Sequence, residues 1–169
     1  MGTKRALRQQ ADSRRTAPVS LDAALAPLIA GASRVAAYWA VGNEPAVTVQ
    51  RGWLLPVVTP DWDLDWVVYD GTLVTVRGLR EPVGPRLGVD AISDCDLVLV
   101  PALLVDRAGN RLGKGGGCYD RALLRATGLT VALVADDELV EVLPVEAHDV
   151  PVAAAATPSH GVVALPTKM

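Results

Sequence analysis

The chain has 169 residues, half of them apolar, which is enough to bury the core of one domain without disulfide staples. Its formal net charge of -3 argues against a protein whose whole surface binds nucleic acid, because such proteins neutralise many phosphates with Lys and Arg. Its two cysteines, Cys95 and Cys118, and two histidines are too few for a disulfide framework, a four-cysteine zinc site or a His-rich metal site.

The sequence contains no apolar run of the roughly 20 residues that a membrane span needs, and its basic beginning lacks the apolar stretch of a signal peptide. The few cysteines fit a reducing compartment. We therefore expect a single cytoplasmic domain, residues 1–169, with neither a membrane nor a nucleic acid as its partner.

Two helices are predicted near the beginning of the chain. Thr3 is a suitable N-cap for a helix that runs to about Arg15. A second helix is predicted in SLDAALAPLIAG, with Ser20 at its start and Gly31 just beyond its end. Pro27 is expected to interrupt this helix, because proline cannot donate a backbone hydrogen bond.

Short apolar runs bounded by Gly, Pro or Asp are typical of buried strands. The runs are residues 34–41, 53–58, 64–69, 96–105 and 129–135. Between them, GLREPVGPRLG, residues 78–88, is predicted to be a long surface loop. Strands that alternate with helices indicate a layered α/β fold.

The segment RLGKGGGCYD, residues 111–120, places four glycines within five positions beside Lys114. It follows an apolar strand run and precedes a helix predicted over residues 119–127, with Leu123 and Leu124 facing inward and Gly128 closing it. Glycines let backbone amides converge on an anion at the positive end of a helix, and the flanking cations add full charges.

Two common phosphate-binding motifs do not match this segment. A Walker A loop would need glycine at Ala108 and Ser or Thr at Gly115, and the dinucleotide fingerprint would need glycine or alanine at Cys118. We interpret the segment as a phosphate-binding loop of another design. A flexible turn is the alternative.

Several nearby residues have both a structural and a functional interpretation. Asp120 lies in the first turn of a helix, which stabilises a carboxylate whatever its role, and it could hold magnesium beside a phosphate. Lys4 and Arg8 project from one helix face, which is usually just solvated. Cys118 at a helix N-terminus could be a nucleophile, but no motif ties a histidine to it, so a structural role is favoured.

Several segments, in this order, resemble those of the 5-formyltetrahydrofolate cyclo-ligases, also called methenyltetrahydrofolate synthetases. They are the first helix with Lys4 and Arg8, YWAVGNEP with Glu44, LLPVV, GLREP, LVPALLVDRAGNRLGKGGGCYDRAL and PVEAHDVPV. The most specific is the RLG-x-G-x-G-x-YD block after a VP-x-x-x-x-D strand. The resemblance runs nearly end to end and implies a three-layer α/β/α sandwich with a mainly parallel central sheet.

The resemblance also implies a reaction. Members of the family use ATP and Mg²⁺ to convert 5-formyltetrahydrofolate to 5,10-methenyltetrahydrofolate, with release of ADP and phosphate. The γ-phosphoryl group is thought to move onto the formyl oxygen, after which N10 attacks the activated carbon and phosphate departs. Phosphoryl transfer requires mainly positioning and charge neutralisation, which a glycine loop flanked by cations can supply.

The family's functional residues match particular positions of this chain. ATP binding is implied for Lys4, Arg8, Arg111, Leu112, Gly113, Lys114, Gly115, Gly116, Gly117, Cys118 and Tyr119, with Arg111, Lys114 and Tyr119 also catalytic. Substrate binding is implied for Trp39, Glu44, Lys114, Gly115, Gly116, Gly117 and Cys118. Trp66 is expected to flank the pterin, with a place in the core as the alternative, because a tryptophan at alternating strand spacing is more often a core residue. Asp120 and Asp149 match the magnesium carboxylates, so the HD of PVEAHD would be half of a metal site.

The chain departs from the family pattern at three places. Cys118 replaces the first of two tyrosines, and Ala153 stands where an aspartate is common. Only residues 42–52 join two strand runs, a connection without room for the family's crossover helix and near the lower limit for a parallel crossover. Such a deletion would uncover one sheet face, which could pair with a second subunit; we expect a monomer or weak homodimer.

These departures leave open a paralogue that binds folate or nucleotide without turnover. A further alternative keeps the glycine loop but not the substrate roles of Glu44 and Trp39: an ATP-dependent kinase or ligase that acts on a different small substrate.

Overall fold

The structure, a computed structural model, describes residues 3–166. The first helix, α1, spans Lys4–Arg14, and the Thr3 side chain caps it by accepting a hydrogen bond from the Ala6 backbone N–H at 3.2 Å. This confirms the predicted start, and the helix ends one residue before Arg15. No helix among the described residues is long and apolar enough to cross a membrane.

The second helix, α2, spans Asp22–Gly31 and continues through Pro27, so the predicted interruption is wrong. Leu21 and Leu25 are fully buried beneath it, and this packing outweighs the one hydrogen bond that proline cannot donate. Gly31 is the last helical residue rather than the residue beyond the end, and the chain leaves the helix at Ala32.

Within the described residues, the two helices are followed by twelve strands and a third helix, α3, Cys118–Leu123. They are β1 Val35–Ala36, β2 Leu54–Val58, β3 Leu64–Val68, β4 Leu73–Val76, β5 Leu79–Pro82, β6 Leu97–Pro101, β7 Leu104–Asp106, β8 Arg111–Leu112, β9 Leu129–Leu133, β10 Leu139–Val140, β11 Ala154–Thr157 and β12 Gly161–Ala164. The central sheet has the spatial order β12-β11-β9-β6-β1-β2-β3. Its inner five strands are parallel, and the edge strands β3 and β12 are antiparallel, which confirms the mainly parallel sheet.

The burial of the central strand β6 on both faces shows that the sheet lies between two other layers. The residues of β6 are buried on both faces: Val98 and Val100 pack in a core with α3, whereas Leu97 and Leu99 pack in a core with α2. This alternation is the two-residue period of a strand covered on both sides. A smaller sheet, β10-β7-β8, packs against α1. The predicted α/β/α sandwich is confirmed.

Two predicted segments differ from the structure. The run 96–105 is two strands rather than one, because the chain leaves the central sheet after Pro101 to build the smaller sheet. The predicted loop 78–88 begins with half of the hairpin β4–β5, whose two-residue turn places Arg77 and Gly78 at positive φ. Positive φ at both turn residues gives the twist that joins antiparallel strands tightly.

The short connection between β1 and β2 covers the sheet face itself. Residues 37–53, all described, form no helix, yet β1 and β2 pair in parallel. Tyr38, Val47 and Trp53 are buried on the same face as α2, and the Tyr38 hydroxyl donates to the Pro45 carbonyl. The expected loss of cover is therefore not observed, and this face offers no argument for a second subunit.

Candidate active site

A cleft of about 590 Å³ lies beside the glycine-rich segment that joins β8 to α3. Its walls come from α1, the connection after β1, strands β2 and β3, the β4–β5 hairpin and residues 148–149. Every site residue predicted from the sequence lines this cleft except Trp66. Residues more than a hundred positions apart in sequence therefore face one cavity.

The glycines of this segment have distinct structural reasons. Gly115 and Gly117 have φ values of 108° and 77°, a left-handed region that favours glycine. A Cβ on Gly113 would lie 2.6 Å from the Arg111 guanidinium, so a side chain at that position would have to displace this group. Backbone conformation and close packing together require glycine here, and the backbone is left bare toward the cleft.

Helix α3 is shorter than the sequence predicted. It ends at Leu123, and Leu124, expected to face inward, is 75% exposed. Gly128, predicted to end the helix, lies beyond it. Glycine is required there by close packing, because a Cβ would lie 2.3 Å from the Cys95 carbonyl oxygen. Since a short helix has few aligned peptide dipoles, full charges must provide most of the positive potential in the cleft.

Arg111 and Tyr119 form a buried pair of donors in the cleft wall. The Arg111 guanidinium lies 5.7 Å from the Tyr119 ring centre and donates to the Pro101 carbonyl at 2.9 Å. Burial lowers the pKa of Arg111, and the negative charge of Asp120 only partly offsets this effect. Burial also raises the pKa of Tyr119, and the positive charge of Arg111 only partly offsets that effect. Tyr119 therefore keeps its proton at neutral pH. Among residues 3–166, the Arg111 Nε and the Tyr119 hydroxyl are buried without a hydrogen-bond partner, so a ligand oxygen could satisfy them only after a shift of the surrounding groups.

Helix α1 brings two cations to the same cavity. Lys4 Nζ lies 2.5 Å from Asp149 Oδ2 and 3.3 Å from Glu146 Oε1. The Arg8 Nε donates to the Gly113 carbonyl at 2.8 Å. Their spacing of four residues puts both on one helix face, and this face is turned to the cleft. We call Lys4, Arg8, Arg111, Asp120 and Asp149 the charged end.

Asp120, His148 and Asp149 offer ligand atoms that all lie within 4.8 Å of one another. The Val150 N–H donates to Asp120 Oδ1 at 3.2 Å, which ties the 148–150 segment to α3. Burial raises the pKa of Asp149, but the hydrogen bonds from Lys4 and the Glu146 N–H outweigh it and hold the pKa below its usual value. The two carboxylates are the oxygen donors that Mg²⁺ prefers.

Lys114, Glu44 and Trp39 line the same cleft as the charged end, and so does an apolar surface. The Lys114 Nζ is 3.7 Å from Glu44 Oε2, and Glu44 Oε1 accepts from the Val41 N–H at 2.8 Å. Trp39 is 36% exposed and its ring lies 5.9 Å from that of Tyr69. The apolar surface, which we call the apolar wall, consists of Leu55, Pro56, Val58, Leu64 and Leu79.

Trp66 does not line the cleft. It is fully buried in the core behind β3, across from Pro56 in the register of β2 and β3. Its place on the sheet follows from the strand period, which points it to the same core face as Leu64. The structure thus places the expected pterin neighbour in the core. Cys118 does line the cleft, and burial raises its thiol pKa, which disfavours the thiolate that a nucleophile needs.

Sequence reasoning missed many residues that line the cleft, among them the apolar wall, Arg15, the hairpin and Trp62. The Arg15 side chain is 7% exposed, and its guanidinium binds Glu138 at 2.8 and 3.0 Å and the Ala102 carbonyl at 2.6 Å. The hairpin residues 79–81 line the cleft although the sequence suggested a loop there. Trp62 lines it from the turn between β2 and β3. A tryptophan in the polar stretch TPDWD was the one available signal.

The chain is similar to proteins of known activity. The model of the 5-formyltetrahydrofolate cyclo-ligase family matches residues 1–158. A 5-formyltetrahydrofolate cyclo-ligase from Mycolicibacterium smegmatis is 44% identical over 148 residues, covering 78% of this chain and 76% of the relative. The Escherichia coli 5-formyltetrahydrofolate cyclo-ligase is 42% identical over 84 residues, covering 48% of this chain and 46% of its own length.

Two solved structures share the fold. The 5,10-methenyltetrahydrofolate synthetase of Aquifex aeolicus superposes with a TM-score of 0.70 at 25% identity, covering 98% of this chain and 94% of that chain. The synthetase of Mycoplasma pneumoniae has a TM-score of 0.67 at 18% identity, covering 91% of this chain and 98% of that one, and it supports the fold alone. The chain belongs to the 5-formyltetrahydrofolate cyclo-ligase family.

Proposed function

We propose that this protein converts 5-formyltetrahydrofolate to 5,10-methenyltetrahydrofolate, consuming ATP and releasing ADP and phosphate. One observation supports this most directly: the glycine segment, the cations of two distant elements and the Asp120–Asp149 pair line a single cleft. The opposite arrangement, with the two carboxylates on different sides of the molecule, would have excluded it.

The proposed reaction has two steps. First, the formyl oxygen attacks the γ-phosphorus of ATP, the bond to the β-γ bridging oxygen breaks, and ADP leaves. Next, N10 attacks the formyl carbon, the carbon–oxygen bond breaks and phosphate departs, while N10 loses its proton. Phosphorylation is needed because an amide oxygen is a poor leaving group, whereas phosphate is a good one.

Arg111, Lys114 and Tyr119 would stabilise the transferring phosphoryl group. Arg111 and Tyr119 line the cleft with side chains that burial holds in place, and both can donate hydrogen bonds to an oxygen on which charge develops. Lys114, 61% exposed, has the freedom to follow a phosphate, and its partner Glu44 is positioned by the Val41 N–H. The chain thereby combines fixed donors with one mobile cation.

Asp120 and Asp149 would hold Mg²⁺ at the charged end, since two converging carboxylates fit that ion. When bound beside the phosphates, the ion neutralises their charge. Lys4 occupies one oxygen of Asp149, so we propose that Lys4 turns from this carboxylate to a nucleotide phosphate, with Arg8 beside it. The apolar wall, with Glu44 and Trp39, would hold the reduced folate.

We also propose that the protein acts in the cytoplasm as a monomer or weak homodimer. Both cysteines are free, in agreement with a reducing compartment. Sedimentation of the purified protein at several concentrations tests the proposed assembly.

The proposed function is tested by mixing purified protein with 5-formyltetrahydrofolate, ATP and Mg²⁺ and following the absorbance of the methenyl product. We expect product only when ATP is present. Absence of ATP-dependent product under varied conditions contradicts the proposal. Tight folate binding without product, with turnover recovered by Cys118→Tyr, would instead identify a non-catalytic paralogue, and activity with non-folate acceptors alone would identify a different ATP-dependent enzyme.

A further inference from the structure

Trp62 has a backbone conformation that suits glycine better than tryptophan. Its φ is 62°, and Arg77 is the only other non-glycine residue with positive φ among residues 3–166. A bulky side chain is disfavoured in this region because its Cβ approaches the following carbonyl oxygen. Such an outlier persists only where neighbouring structure enforces it, and outliers of this kind are concentrated at functional sites.

The turn that contains Trp62 is fixed at both ends. The Thr59 N–H donates to the Asp63 carbonyl, and the Asp63 N–H donates to the Thr59 hydroxyl, both at 2.9 Å. Arg125 binds the buried Asp63 carboxylate with two hydrogen bonds of 2.8 and 2.7 Å. Arg121 donates to the Trp62 carbonyl at 3.1 Å. The turn is therefore tied to α3 and to the chain just after it, so Trp62 has a defined place relative to the glycine segment.

The side chain of Trp62 is available to a ligand. It is 60% exposed although it lines the cleft, so folding gains little from its ring. It lines the same cleft as Val58 and Leu64 of the two strands that its turn connects. An exposed indole in the lining of a partly apolar cleft offers a flat surface on which a planar ring can stack.

The two adjacent glycines separate Trp62 from the charged end. The Cβ position of Gly115 lies 3.4 Å from the Arg8 guanidinium, whereas that of Gly116 lies 3.6 Å from the Trp62 ring. Phosphates attracted by Arg8 would therefore lie beside Gly115, whereas a ring stacked on Trp62 would lie beside Gly116. This division favours the folate over the nucleotide as the partner of Trp62.

We propose that Trp62 is a substrate-binding residue that stacks on the ring system of the reduced folate. This inference rests on the proposed function for the identity of the ligand. Its strained backbone is retained because the indole contacts substrate, and Trp62 thereby sets affinity for the folate but not for ATP.

The test compares Trp62→Gly with Arg77→Gly, a control that also replaces a residue at positive φ but lies outside the cleft lining. We expect both variants to raise Tm by about 2–4 °C, because glycine relieves the backbone strain. Only Trp62→Gly should weaken the Kd and KM for 5-formyltetrahydrofolate, by about tenfold, with the KM for ATP unchanged. Trp62→Phe should recover most of the affinity.

If Trp62→Gly does not fold, Trp62→Asn serves instead, since asparagine tolerates this backbone region. Unchanged folate Kd in these variants overturns the inference, as does a change confined to ATP, which would assign the ring to adenine. A Kd measured by calorimetry does not depend on turnover. Wild-type protein that binds folate without forming product would therefore refute the proposed function, and the Kd values of the Trp62 variants would still test the stacking. Wild-type protein that binds no folate refutes both.

Discussion

The charged end and the apolar wall differ in how they are prepared for a ligand. At the charged end, each ionic group already has a partner in the chain: Lys4 with Asp149, Arg111 with Asp120, and Arg8 with a glycine carbonyl. The apolar wall is formed by residues of β2, β3 and β5 and contains no ionic group whose partner must be exchanged. Under the proposed function, a nucleotide with its metal would have to exchange ionic partners in the chain, whereas a folate ring would meet an apolar surface that is already formed.

This difference implies that removing a charge at the charged end should reduce catalysis. Changing the shape of the apolar wall should instead reduce the affinity for folate. The largest effect is expected for Asp149→Asn, which removes a proposed metal ligand and the partner of Lys4. Because a metal ion contributes several kcal/mol to charge stabilisation, kcat/KM should fall about a hundredfold or more. Steady-state kinetics of the variant and the wild type across a Mg²⁺ titration measures this fall in kcat/KM.

Asp137→Asn is the control for this variant, because Asp137 is exposed and does not line the cleft. It should retain the wild-type rate. A rate for Asp149→Asn equal to wild type at saturating Mg²⁺ would show that Asp149 holds no catalytic metal.

Lys114→Ala is expected to have the next largest effect. The apparent KM for ATP should rise about 10- to 100-fold through loss of a charge-assisted contact with a phosphate. The exposed Arg5, beside the charged end on α1, provides the control Arg5→Ala, which should change little. Unchanged apparent ATP affinity together with unchanged turnover refutes the role assigned to Lys114.

Gly113→Ala separates shape from charge at the charged end. The new methyl group would lie 2.6 Å from the Arg111 guanidinium and must displace it, and misplacing a catalytic group should lower kcat/KM about tenfold. Gly31→Ala in α2 meets nothing within 4 Å, so it should keep full activity and gain about 0.5–1 kcal/mol of stability. Equal activities of the two variants would show that the position of Arg111 is not critical.

The smallest effect concerns the turn that presents Trp62. The hydrogen bonds from Arg125 outweigh burial and hold the pKa of Asp63 below its usual value. A depressed pKa contributes stability above the usual value of about 3.9 that is lost as pH falls through the folded value. Asp63→Asn should therefore lower the free energy of unfolding by about 1 kcal/mol at pH 7.

Urea denaturation of wild type and Asp63→Asn at several pH values checks this prediction. The difference between the two proteins should be constant from pH 7 to about 5 and shrink below pH 4. A difference that instead grows in acid would mean that Asp63 is not ionised in the folded protein.

The sequence predicted what depends on local pattern and failed where distant contacts decide. The glycine segment was recognisable because positive φ and tight packing favour glycine itself. The cap at Thr3 was recognisable because its hydrogen bond joins residues three positions apart. Pro27 was misjudged because tertiary burial of Leu21 and Leu25 maintains α2. Trp62 was missed because its conformation depends on Arg121 and Arg125, about sixty residues away in sequence.

The extended connection between β1 and β2 was unpredictable for the same reason. Residues 42–52 show no helical pattern, which suggests that one face of the sheet is uncovered. In the structure, Val47 and Trp53 of this non-helical connection are buried in the core on that face. Trp66 illustrates the reverse error, because a family role was assigned to a side chain that the strand period turns into the core.

The central claim is that one cleft couples ATP cleavage at the charged end to ring closure of the folate on the apolar wall. The most direct measurement follows ADP and 5,10-methenyltetrahydrofolate in the same reaction. We predict equal amounts of both products at every time, lost together in Asp149→Asn. Methenyl product without ADP, or ADP release that does not depend on the folate, would contradict the account.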